Sequence, residues 1–197
     1  MVSARRSKAE LDLQWLRSLG SGFRRFFTNT VFDSTFMLLG IVIGSAFENP
    51  NIRVILTTML ASSLALGIST GVSVYEAESL EQNRRISDLE KALFRTLDGT
   101  VLAKSARRAV TLISILNFLT PLASCAIMIS PFLLAALRII EIRLAAWASI
   151  LLAFGILFLA GAYLGNLGKG KPWIKGFRML VFGIIAFVIA YLIESLI

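Results

Sequence analysis

Five stretches of this chain are too long and too apolar for the core of a soluble domain: about Phe26 to Phe47, Ile52 to Tyr75, Val110 to Leu137, Leu144 to Leu167 and Trp173 to Ile197. A helix rises ~1.5 Å per residue, so ~20 residues cross ~30 Å of hydrocarbon. Each stretch meets that length, and open β-structure in lipid would leave backbone N–H and C=O groups without partners. The reading is an all-α, polytopic membrane protein with five transmembrane helices. Composition agrees, with 56% hydrophobic and only 16% charged residues and a mean hydropathy of +0.77. Glu48-Asn49-Pro50-Asn51 alone joins the first two spans, so residues 26–75 form a tight transmembrane hairpin. Residues 110–197 carry spans three to five, and Pro121 and Pro131 are expected to kink the third.

Orientation follows from the basic residues. All of the 20 Lys and Arg except Arg53, Arg138 and Arg143 fall before span one, between spans two and three, or between span four and the first turns of span five. The positive-inside rule therefore expects the N-terminus in the cytoplasm and the C-terminus outside, in what we take to be a prokaryotic cell membrane. The net charge of +8 is accounted for by this topology and by anionic lipid, without nucleic acid. The charged stretch before span one is too long for a cleaved signal peptide. Cys125 is the sole cysteine, so no disulfide framework exists. Residues 1–25 are expected to form an amphipathic helix in the interface, bent at Gly20-Ser21-Gly22. Residues 76–109 are read as a cytoplasmic linker holding a short amphipathic helix, with Ile86, Leu89, Leu93 and Leu97 as its apolar stripe and Asp98-Gly99 as its end.

Asp33 is the only ionisable side chain between Phe26 and Phe47. A carboxylate deep in a membrane costs roughly 2.5 to 3.5 kcal/mol even on lenient insertion scales, so it faces a partner, a cation or water. The chain has no histidine, which removes most neutral-pH acid–base schemes and the histidine-based zinc motifs. It also lacks a phosphate-binding glycine loop. An enzyme is therefore not expected. The remaining donors are oxygen and thioether groups, among them Asp33, Met37, Met59, Thr58, Thr70, Asn117 and Met128, a set suited to a divalent ion of intermediate hardness such as Mn²⁺ or Fe²⁺. Asp33 and Met37 lie one helical turn apart and share a face. Glu76, Glu78 and Glu81 follow span two and could collect cations at its cytoplasmic mouth, while Glu81 also stands four residues before Arg85 and could simply pair with it. Glycine pairs at Gly40/Gly44, Gly67/Gly71 and Gly161/Gly165 let helices approach closely, within a subunit or across a dimer.

Asp33-Ser34-Thr35-Phe36 followed by Gly40 and Gly44, Ala61-Ser62-Ser63-Leu64-Ala65-Leu66-Gly67 running on to Val72-Ser73-Val74, and Gly176-Phe177-Arg178-Met179-Leu180 before Gly183 together resemble the vacuolar iron transporter family. The resemblance covers nearly the whole chain in order and topology. It implies a five-span homodimer that moves Fe²⁺ or Mn²⁺ out of the cytosol, with proton exchange in the eukaryotic members. The family's first-span acidic residue matches Asp33. Its second-span methionine and acidic residue fall at Leu66 and Thr70, and the long glutamate-rich domain between spans two and three is missing, leaving Glu76, Glu78 and Glu81 in its place.

With mid-span points near Leu39 and Leu64, antiparallel helices bring Asp33 level with Thr70 and Met37 level with Leu66, so Met37 can supply the sulfur missing from span two. The expectation is a divalent metal transporter with Asp33, Met37 and Thr70 as ligands, no resident cofactor, and metal competing with a proton for the Asp33 carboxylate. A non-transporting membrane scaffold or regulator with the same fold is the alternative from another class.

Overall fold

The computed structural model describes residues 2–46, 51–97, 100–167 and 171–196. They form five helices: α1 (Val2–Ala46), α2 (Ile52–Leu93), α3 (Val101–Ala136), α4 (Ile142–Leu167) and α5 (Pro172–Leu196). Each contains a window long and apolar enough to cross a membrane, which makes the chain a multi-pass membrane protein. Asn51 caps α2, its side-chain oxygen accepting from the backbone N–H groups of Arg53 and Val54. Thr100 caps α3 through the N–H of Ala103. The expected turn at Asp98-Gly99 lies outside the described residues.

The two separate amphipathic helices are not found. α1 runs unbroken for 45 residues through Gly20-Ser21-Gly22. α2 likewise continues for 42 residues to Leu93. The physical reason is that nothing stops them. A glycine costs a helix interior only about 1 kcal/mol, no proline lies within either element, and the Glu-, Gln-, Lys- and Arg-rich run after Tyr75 consists of good helix formers. At ~1.5 Å per residue, α2 is ~63 Å long, so about half of it projects beyond the hydrocarbon.

α2 packs chiefly on α3 and α4 chiefly on α5, while α1 touches all four other helices. The main core lies where α1, α2, α3 and α4 meet and holds Leu38, Leu39, Val42, Ile43, Ile55, Met59, Met128, Phe132 and Ile150. A smaller cluster at the opposite end joins Val74 of α2 to Ile113 of α3, with Phe26 of α1 against it. Helix association in lipid gains little from the hydrophobic effect, so close backbone approach and interhelical hydrogen bonds carry more of it. Both are present. A β-carbon built on Gly67 would lie 2.7 Å from the Phe118 carbonyl oxygen, and one on Gly71 3.0 Å from the Phe118 side chain. Gly161 and Gly165 are held as tightly against Lys175 and Pro172 at the start of α5. Two of the three glycine pairs are thus spent on contacts within the chain. β-carbons on Gly40 and Gly44 would meet nothing within 4 Å.

Candidate functional site

Polar side chains line the contact between α1 and α3. Thr30 Oγ1 donates to Asn117 Oδ1 at 2.9 Å, Asn117 Nδ2 donates to the Ile113 carbonyl, and Ser34 and Ser124 share a hydrogen bond at 3.1 Å. Asn117 and Ser34 are fully buried. Ser149 of α4 donates to the Met128 carbonyl of α3, and Cys125 is buried with its thiol towards the Met59 carbonyl. Such bonds are worth about 0.6 kcal/mol each in a membrane protein and fix helix register.

The two prolines of α3 explain two further contacts. Pro121 has no N–H, so the carbonyl of Asn117, four residues back, loses its helical donor. Thr70 of α2 faces the gap: its hydroxyl lies 3.3 Å from that oxygen and shares its one proton between it and the Leu66 and Gly67 carbonyls at 2.9 and 3.2 Å. Pro131 similarly frees the Ile127 carbonyl, which accepts from Ser130 Oγ at 2.7 Å. Thr70 therefore has a packing role that its sequence position did not announce. Thr70→Val is expected to cost about 1 to 3 kcal/mol by stranding a buried carbonyl, but well under 1 kcal/mol when Pro121→Ala restores the backbone donor. Unfolding of the four proteins in mild detergent measures this cycle, and an equal cost in both backgrounds would remove the role.

Asp33 is exposed on α1. Its neighbours Ser34 and Thr35 are buried within the helix bundle, so the carboxylate projects away from the seam. Met37, one turn on, is half-buried and packs against the main core. Gly40 and Gly44 continue the same exposed line of α1, at helical spacing from Asp33. Asn117 contacts both Thr30 and Thr70, so Asp33 lies about one turn, ~4.5 Å along the axis, from the level of Thr70. No bond joins Asp33 and Thr70.

The three glutamates do not converge. Glu76 is exposed, Glu78 is 8% exposed on the buried face of α2, and Glu81 accepts from Arg85 Nε at 2.9 Å on a solvated face. Among the described residues there is no group of three or more Asp, Glu, Cys or His that could hold a metal ion.

The chain matches no protein-family model. It is 24% identical to an uncharacterized protein of Methanocaldococcus jannaschii over 179 residues, which cover 89% of this chain and 91% of that protein.

Proposed function

We propose that this protein is a divalent metal transporter, exporting Fe²⁺ or Mn²⁺ from the cytosol as a symmetric homodimer whose α1 helices face each other. The observation that carries the reading is the exposed position of Asp33 on the same face as the two uncrowded glycines. A carboxylate facing lipid is costly. Pairing of two α1 faces across a two-fold axis would remove that cost, because Gly40 and Gly44 let the backbones approach and each Asp33 then meets its counterpart. Two carboxylates and one divalent ion are electrically neutral together, whereas either alone is expensive in a low dielectric. Met37, on the turn between Asp33 and Gly40, would add a soft donor suited to Fe²⁺ or Mn²⁺. Two protons can replace the ion on the same carboxylates, which supplies a proton antiport. The basic ends of the helices set the cytoplasmic side, where Glu76, Glu78 and Glu81 would offer the ion its first contacts.

A second reading, a membrane scaffold, is favoured by one observation: Thr70 is engaged in sealing the Asn117 carbonyl, and Leu66 beside it offers no ligand. Purified protein in sealed proteoliposomes separates the two. A transporter moves Mn²⁺ or Fe²⁺ down an imposed gradient and acidifies or alkalinises the lumen in step. A scaffold moves neither.

A further inference from the structure

Where α2 and α3 emerge from their apolar spans, they enclose a cavity of about 360 Å³ lined by Tyr75, Ser79, Gln82, Asn83 and Ile86 of α2 and by Ala106, Arg107, Val110 and Thr111 of α3. Its floor contains an unmet demand. Gln82 is only 3% exposed, and its Oε1 is buried with no hydrogen-bond partner. An unpaired buried amide oxygen costs about 1 to 3 kcal/mol, so whatever fills the cavity should bring a donor to it. At the rim, Arg107 is exposed and makes no ion pair among the described residues. A guanidinium in that position fits a phosphate oxygen. Tyr75, Ser79 and Thr111 add hydroxyl-bearing side chains to the lining. No carboxylate lines the cavity, and Glu78 lies one turn from Gln82 on the buried face of α2, so Arg107 is the charged group that faces into it.

We infer that this cavity binds a phosphate ester that also carries a hydroxyl or ammonium donor, with the phosphate on Arg107 and the donor on Gln82 Oε1. The cavity sits at the end of an apolar span beside a basic segment, level with lipid headgroups, where a phosphatidylglycerol headgroup presents both groups. A soluble glycerol phosphate presents the same chemistry. Phosphatidylcholine has the phosphate but no donor.

The test is native mass spectrometry of the full-length protein in mild detergent, titrated separately with phosphatidylglycerol, phosphatidylcholine and glycerol 1-phosphate. The expected result is one phosphatidylglycerol retained per chain at about tenfold lower concentration than phosphatidylcholine. Arg107→Gln and Gln82→Leu should each abolish that preference, while Arg108→Gln, which changes a neighbouring charge outside the cavity, should leave it. Glycerol 1-phosphate that binds as tightly as the lipid would identify the soluble source. Its failure to bind beside retained lipid would identify the headgroup. Gln82→Leu should also leave the lipid-free melting temperature unchanged or raised, since it removes an unpaired amide, so lost binding in that variant is not lost folding. Equal retention of the two lipids with no binding of glycerol phosphate, or a preference that survives Arg107→Gln, would overturn the assignment.

Discussion

Asp33→Asn is expected to insert and dimerise like the unaltered protein and to lose divalent metal flux by about 100-fold or more. Asparagine keeps the shape and some hydrogen bonding but removes the charge, and leaving an ion in low dielectric without its counter-charge costs about 3 to 5 kcal/mol. At about 1.4 kcal/mol per factor of ten, that cost is roughly two to three and a half decades of rate or affinity. Met37→Leu should be impaired less, because a thioether contributes no charge. Glu78→Gln should be impaired least, since Glu78 is on α2 and not on the exposed α1 face that carries Asp33. Mn²⁺ uptake into proteoliposomes at matched protein density measures all three. Equal flux in Asp33→Asn and wild type would place the site elsewhere.

The glycines divide into two classes with opposite consequences. Gly67→Ala drives a β-carbon to 2.7 Å from a backbone oxygen, and Gly165→Ala to 2.5 Å from the Pro172 backbone. Neither neighbour is the loose end of a side chain, so the helices must separate, at a cost of about 1 to 3 kcal/mol. These variants should unfold at lower denaturant or temperature while any that remain folded keep their oligomeric state. At Gly40 and Gly44 a β-carbon meets nothing within 4 Å, so Gly40→Leu and Gly44→Leu direct their side chains away from the crowded helix contacts. They should leave protomer stability intact yet weaken the dimer at least tenfold, shown by mass measurement in detergent across a dilution series. Monomer–dimer behaviour unchanged in both leucine variants would remove α1 from the interface.

Much of the architecture was legible because lipid leaves a chain so few choices. Long apolar runs had to be helices, and all five are present. The boundaries outside the membrane were harder. Gly20-Ser21-Gly22 reads as a bend, yet α1 passes straight through, because two glycines cost less than ending and renucleating a helix. Glu81 with Arg85 was readable from i,i+4 spacing alone, and the pair forms. Thr70 shows what spacing cannot convey. Its partner is a carbonyl freed by a proline 51 positions later on another helix, visible only once α2 and α3 are packed. Asp33 was identifiable as the anomalous charge, but which side of α1 it faces depends on where Thr30, Ser34 and Thr35 pack. Likewise, three glycine pairs look alike in sequence, and only their neighbours distinguish the two that close the protomer from the one left open. Gln82 carried no signal at all, since a glutamine in a charged helical stretch reads as solvated until α3 covers it.

The claim that two Asp33 carboxylates share one ion is tested most directly by titrating Mn²⁺ into the detergent-purified protein and counting bound metal by electron paramagnetic resonance. The account predicts one tightly bound Mn²⁺ per two chains, displaced by Fe²⁺ and by acid and absent from both Asp33→Asn and Gly40→Leu. One Mn²⁺ per chain, or binding that persists in Asp33→Asn, would contradict it.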